Sequence, residues 1–252
     1  MHLVTFERRE GRALRNAAER GEDCILGELA ALGLDLGQSG SAGAQRVGAL
    51  LPPGPHGGDV VDLNRARAVL HALEDVGAPE AQADSLLPTD PHAFVRRLPG
   101  ALLAAQRALE FVADASGRYD APDLVRAGVV LPRRSVRLAA PIPRPGKILA
   151  VARNPVAPAS GPEGPAPAEP LLVLKASSAV IGPEDEIVLP SESHAVDYQG
   201  ELALVIGRVA RRLAELTRAE WGIVTAGCCA AITHCTASAI AGGNPERMQR
   251  LP

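Results

Sequence analysis

Val196-Asp197-Tyr198-Gln199-Gly200-Glu201-Leu202-Ala203-Leu204-Val205-Ile206-Gly207 is the stretch on which the reading of the fold turns. Its second half, Leu202 to Ile206, is an unbroken apolar run, as a strand covered on both faces requires. Its first half alternates, and in a strand every second side chain shares a face. Asp197, Gln199 and Glu201 therefore line one side, three oxygen-bearing groups in a row. The pattern predicts a long central strand from Val196 to Val209. The polar row itself has two readings: a binding face, or a stripe of groups satisfied by neighbouring strands.

Working outward, the C-terminal part of the chain is strand-rich. Lys147 to Val151, Leu171 to Lys175 and Glu186 to Leu189 read as strands on one side of the long one, and Ile223 to Ile232 on the other. Thr217-Arg218-Ala219-Glu220 fits a capping box, in which the Thr and Glu side chains satisfy the first free N–H groups of a short helix. Pro141, Pro143 and Pro145 mark a stiff linker. Before it, strands and helices mix. Met1 to Glu7 reads as a strand, Arg8 to Ala31 as a helix, and Gly37 to Gly43 as a flexible loop. Arg46 to Leu51 and Asp59 to Leu63 read as strands joined by a turn over Pro52 to Gly58. Asn64 is placed to cap a helix running to about Val76. Asp90-Pro91 opens another helix. From Ala101 to Ala115, Leu102, Gln106, Leu109 and Ala113 fall on one helical face with Leu103 beside them. The expected organisation is α+β: an N-terminal α/β domain over residues 1–140 and a strand-rich domain over residues 141–252.

Hydrophobic residues make up 46% of the 252-residue chain but aromatics only 2%, so the core must be built from Ala, Val, Leu and Ile. The net charge is −3 and no basic run occurs, which argues against nucleic acid as a partner. No apolar run is long enough to span a bilayer, so no membrane is expected either. The first residues read as a strand and not as a charged leader with an apolar core, so a cytoplasmic protein is expected. Cys228, Cys229 and Cys235 crowd one segment with His234, but neither spacing nor ligand number matches a zinc site. Small buried thiols in an Ala-rich strand are the simpler reading.

Four stretches, in this order, resemble the fumarylacetoacetate hydrolase family: Val136 to Leu138 with Pro141 to Val151, Pro170 to Pro183, Ile187 to Pro190, and Val196 to Gly207. Arg46-Val47-Gly48-Ala49 and Val60-Val61-Asp62-Leu63 are similar to that family's small N-terminal domain. The resemblance implies a mixed-β roll around Mg²⁺ or Mn²⁺ and metal-dependent hydrolysis of a C–C bond in acylpyruvate-like keto acids. A hard cation would bind both oxygens of a 1,3-dicarbonyl and draw off charge as the bond breaks. Transferred residue by residue, the resemblance makes Glu201 a metal ligand. Gln199 stands where the family has a second Glu, and it brings a carbonyl oxygen but no charge. The third carboxylate would fall near Thr233 or His234, and His234 is the candidate in its place. Lys175 matches a Lys on the family's equivalent strand and is a substrate candidate, with a structural role as the alternative.

No catalytic residue can be assigned by the same transfer. Asn154 matches the Asn of the family's lid motif, but the following residues supply neither its Tyr nor its His. Pro155, Pro158, Pro162, Pro165, Pro167 and Pro170 also oppose a helix there, since each interior proline costs about 3 kcal/mol. An extra segment, roughly Arg8 to Gln45, and an early stop complete the departures, so the roll is expected to be incomplete. Two readings follow: an impaired hydrolase of keto acids, or a pseudoenzyme. The second would be a non-catalytic partner subunit of an active homologue, or a decayed gene product. Because the family dimerises through its roll, a homodimer or a dimer with a full-length relative is expected. Weak binding of Mg²⁺ or Mn²⁺ is expected as well. Gln199→Glu should tighten Mn²⁺ binding, because it returns a negative charge next to Glu201. Calorimetric titration of both forms is the check, and equal affinities would count against this face as the metal site.

Overall fold

The computed structural model describes residues 1–9, 29, 32, 34, 43–52, 58–118, 121–153, 171–189, 191, 196–207 and 225–237, the last of these and 196–200 by their backbone. The expected helix over Arg8 to Ala31, the loop Gly37 to Gly43, the lid from Asn154 and the capping box at Thr217 lie outside the described residues or nearly so.

The fold is α+β. An antiparallel five-stranded sheet has the order β4-β3-β2-β1-β5. Its strands are β1 (His2–Arg8), β2 (Gln45–Leu50), β3 (Val60–Asp62), β4 (Val130–Leu131) and β5 (Val136–Ala139). β1 pairs with β2 from His2↔Leu50 to Glu7↔Gln45 and with β5 from Thr5↔Ala139 to Arg8↔Val136. Gly48 is needed on the sheet face that carries Phe6 and Val60, the face away from the helices. A Cβ there would lie 2.7 Å from Val60 Cγ1 and 2.8 Å from Phe6 Cε1, closer than real contacts allow.

Helices cover one face: α1 (Leu63–Leu73), α2 (Pro79–Leu86), α3 (Pro91–Arg96), α4 (Gly100–Arg118) and α5 (Ala121–Arg126). As the sequence suggests, Asp90 caps α3 by accepting from the Ala93 N–H at 2.7 Å. α1, however, starts straight from β3, and its cap is Asp62 in place of Asn64. The Asn64 amide donates instead to Asp84 and to the Leu87 carbonyl, both at 2.8 Å, tying α1 to α2.

α4 also turns a different face inward from the one its leucines suggest. Ala101, Ala104, Ala105, Ala108, Val112 and Ala115 are buried, whereas Leu103 is 56% exposed. The facing helix α1 presents Ala66, Val69 and Ala72 to the same core. Small side chains on both helices let the backbones approach, and leucines turned inward would hold them apart. A core nearly without aromatics is thus close-packed by alanine.

Asp62 sits fully buried beneath this layer. Arg46 Nε and Nη2 reach its carboxylate at 2.7 and 3.0 Å, Arg8 Nη2 at 2.9 Å, and the Arg65 backbone N–H at 3.1 Å. Burial alone would push the Asp62 carboxyl up, but the two guanidinium groups and the backbone donor hold it below the ordinary range.

The C-terminal half contains two antiparallel ribbons. One is β6 (Ile148–Arg153) with β7 (Leu171–Lys175), and the other is β8 (Val196–Ile206) with β9 (Thr225–Ala237). β8 was expected to be central and buried. Among the described residues it pairs only with β9, and Leu204 and Ile206 are 49% and 54% exposed. The expected strand over Glu186 to Leu189 is irregular and exposed. The acidic turn just before it is drawn onto β5, and no described strand lies alongside to pair with it.

Asp62→Asn should cost about 3–5 kcal/mol, because it leaves buried arginines short of their counter-charge. Since the native carboxyl is held low, its contribution is present above about pH 4 and disappears as pH falls through the native value. Urea titration of both forms at neutral and acid pH should therefore show the gap between them closing in acid.

Candidate functional site

Lys175 is the last residue of β7 and stands opposite Ile148 of β6. Glu201 lies midway along β8, exposed, and opposite Ile232 of β9. The fold brings these two residues, distant from each other in sequence, within electrostatic reach. Burial pushes the half-buried Lys175 ammonium below its ordinary range, and the negative charge of Glu201 partly restores it. Gln199 stands opposite His234 in the β8–β9 register, and Gly200 opposite Thr233. The two sequence positions considered for a third metal ligand thus fall on the strand paired with Gln199 and Glu201. Among the described residues, no three His, Cys, Asp or Glu side chains gather as a metal cage would need. Among the described side chains the oxygen donor at this place is Glu201, with Lys175 within electrostatic reach of it.

What holds Lys175 in place was not evident from the sequence. Ser177, in the short 3₁₀ turn after β7, donates its hydroxyl to the Pro145 carbonyl, and the Thr5 hydroxyl donates to the Pro141 carbonyl at 2.9 Å. The proline segment is therefore pinned near both ends. Next, Gly182 lies against β5 so closely that a Cβ would be 3.0 Å from the Leu138 carbonyl. Asp185 accepts from the Gly182 N–H at 2.7 Å and pairs with Arg137. Glu184 accepts from the Leu138 N–H at 3.1 Å, from Arg9 at 2.8 Å and from Arg133. The Leu138 N–H and these arginines hold the Glu184 carboxyl below its ordinary range. A two-carboxylate turn thus clamps the edge of the N-terminal sheet. The useful signs in the sequence were Gly182-Pro183 ahead of the acidic pair, and arginines at 133, 134 and 137.

Residues 147–230 match the family model described as fumarylacetoacetate (FAA) hydrolase C-terminal. Human mitochondrial oxaloacetate tautomerase FAHD2A is 42% identical over 84 residues, which are 33% of this chain and 27% of that protein. The Xenopus laevis mitochondrial oxaloacetate tautomerase fahd2 is 30% identical over 178 residues, 71% of this chain and 45% of that one. The matches thus span less than half the length of these curated relatives. A crystal structure of maleylpyruvate hydrolase from Sphingobium sp. SYK-6 is 25% identical with a TM-score of 0.46, covering 77% of this chain and 56% of that one. The chain belongs to the fumarylacetoacetate hydrolase family. No helix among the described residues is long and apolar enough to cross a membrane.

Glu184→Gln should loosen the clamp, because a neutral amide pairs weakly with Arg9 and Arg133. Limited proteolysis between Pro141 and Lys147 should then speed up. In the unaltered protein the same change should come with acid, since a carboxyl held low in the folded state loses its contribution as pH falls through that value.

Proposed function

We propose that this chain binds a small keto acid between β7 and β8 and interconverts its keto and enol forms. The observation that carries the reading is the approach of the Lys175 ammonium to the Glu201 carboxylate. Such a pair suits this chemistry. The ammonium faces the substrate carbonyl or carboxylate and favours the negative charge that develops on oxygen. The Glu201 carboxylate takes the proton from the carbon between the carbonyls, and Lys175 supplies one to the enolate oxygen. The names of the relatives point the same way, since two of those compared are oxaloacetate tautomerases. Hydrolysis of a C–C bond asks for more, namely a base to activate water, and residues 155–170, which follow Asn154, offer neither Tyr nor His. Proton transfer between carbon and oxygen needs no water.

Binding of Mg²⁺ or Mn²⁺ is proposed to be weak, through Glu201 with Gln199 and His234. No step above depends on it. The chain is read as dividing near residue 140, with residues 141–252 forming part of a β-roll, in a cytoplasmic protein. A second reading is favoured by the apolar exposure of both ribbons: Leu174 is 71%, Leu149 58% and Ile206 54% exposed. In that reading the chain is a non-catalytic subunit whose roll is completed by a second copy or by a full-length relative.

Enol–keto conversion of oxaloacetate and cleavage of an acylpyruvate, each with and without Mn²⁺, separate the readings. The tautomerase reading expects the first activity and not the second, with Glu201→Gln and Lys175→Met each lowering it by roughly 10²–10⁴-fold. Full activity in Glu201→Gln would overturn it. No activity towards either substrate, with the chain sedimenting as a dimer, would favour the non-catalytic subunit.

A further inference from the structure

Two polar side chains of α1 are buried without a partner. Arg67 is 8% and His71 4% exposed, and Arg67 Nε and His71 Nδ1 are shut off from solvent with no hydrogen bond. The other buried polar side chains among the described residues are satisfied: Thr5 by the Pro141 carbonyl, Arg46 by Asp62, Arg65 by the Ala127 carbonyl and Glu80, and Asp123 by Arg126. Four residues apart, Arg67 and His71 share a face of the helix. It is the face opposite Ala66, Val69 and Ala72, which pack into the core. Glu74 is close enough to act on the His71 ring, but it is exposed and, among the described residues, bonds to neither side chain.

The remaining nitrogens of the pair, Arg67 Nη1 and Nη2 and His71 Nε2, are not shut off in the same way, so the pair is approached from the surface. An orphaned buried acceptor is tolerated better than an orphaned N–H, which leaves Nδ1 bare and puts the ring proton on Nε2, towards that opening. Burial, and then the charge of Arg67, hold the ring below its ordinary range and so neutral at pH 7. The result is a set of donors only: two guanidinium nitrogens and one imidazole N–H. A trapped water would fill hydrogen bonds but leave the Arg67 charge uncompensated, and a buried cation needs a counter-charge.

We propose that Arg67 and His71 form a binding site for a free phosphate ion. Its oxygens suit both groups at once, two for the guanidinium fork and one for the imidazole N–H, and it carries the missing negative charge. A carboxylate offers two oxygens and a single charge. Because both side chains are nearly covered, a bare ion suits the site better than a phosphate ester. The site belongs to the N-terminal helical layer and asks nothing of the Lys175–Glu201 pair. Occupancy would stabilise the folded chain by mass action.

The test is a titration of the ¹⁵N-labelled full chain with inorganic phosphate at pH 7, with ionic strength held constant by chloride. The His71 ring nitrogens and the Arg67 Nε–H are followed. Phosphate should give a saturable shift with Kd on the order of 1 mM and raise the urea midpoint of the chain. Acetate and glycerol phosphate should each bind about tenfold more weakly or worse, and Arg67→Met should lower the phosphate affinity by tenfold or more. Because Arg67 has no partner within the protein, Arg67→Met without phosphate should unfold at no lower urea concentration than the parent. The absence of a saturable shift would overturn the proposal, and so would unchanged affinity in Arg67→Met. Acetate or glycerol phosphate binding as tightly as phosphate would overturn the assignment to the free ion. A large fall in the urea midpoint of Arg67→Met would show that the protein itself holds Arg67, and would overturn it as well.

Discussion

The buried carboxylate of Asp62 is the constraint from which the rest of the arrangement follows. It receives Arg8 from β1, Arg46 from β2 and the first turn of α1. A fully buried charge is tolerable only when its oxygens are filled by donors, and here those donors come from separate elements. Their positions are therefore coupled. Fixing Arg8 at the end of β1 also fixes Arg9, whose backbone N–H reaches the Ser135 carbonyl at 2.9 Å and whose side chain grips Glu184. A core ion cluster, a sheet edge and an acidic turn form one mechanical series, and the strand bearing Lys175 lies at its far end.

That series joins halves built on different principles. The N-terminal sheet and helices hold a contiguous core in which alanine does the work usually given to larger side chains. The two ribbons of the C-terminal half have little such cover among the described residues, and their hold on the rest is polar. Exposed ion pairs contribute little singly, typically under about 1 kcal/mol. Their value here is directional: the Glu184 carboxylate satisfies the Leu138 N–H on the free edge of β5 as well as two arginines. An edge strand that would otherwise offer its backbone to another chain is thereby capped.

Local signals were readable in the sequence and distant ones were not. β7 falls on Leu171–Lys175 as its unbroken apolar run indicates, and the Asp90-Pro91 start of α3 follows from one side chain and one ring. The inward face of α4 was not readable, because periodicity marks leucine as core while the choice is made by the small residues of α1 across the interface. Glu186 to Leu189 has the composition of a strand but lacks a described neighbour to pair with, and pairing is a property of two segments. Within the candidate site, alternation alone put Gln199 and Glu201 on one face. The approach of Lys175 to Glu201 depends on how two ribbons sit, which no window of sequence contains. The acidic turn went unread for the same reason, since its partners lie at positions 9, 133 and 137.

The chemistry of the clamp also shapes how this chain is free to drift over generations. A junction made by interdigitating apolar side chains changes slowly, since each replacement must match volume on both sides. A junction made by guanidinium and carboxylate groups at the rim of a sheet follows another rule, set by the sign of charge more than by volume: Arg137 holds both Glu7 and Asp185, so a change of its charge has to be met by its partners. Substitutions at such sites are expected to arrive in compensating pairs. Among homologues, the residues facing the Gly182 turn should thus vary in identity yet keep opposite sign, whereas Gly182 itself, pressed against the β5 backbone, has no substitute of equal size.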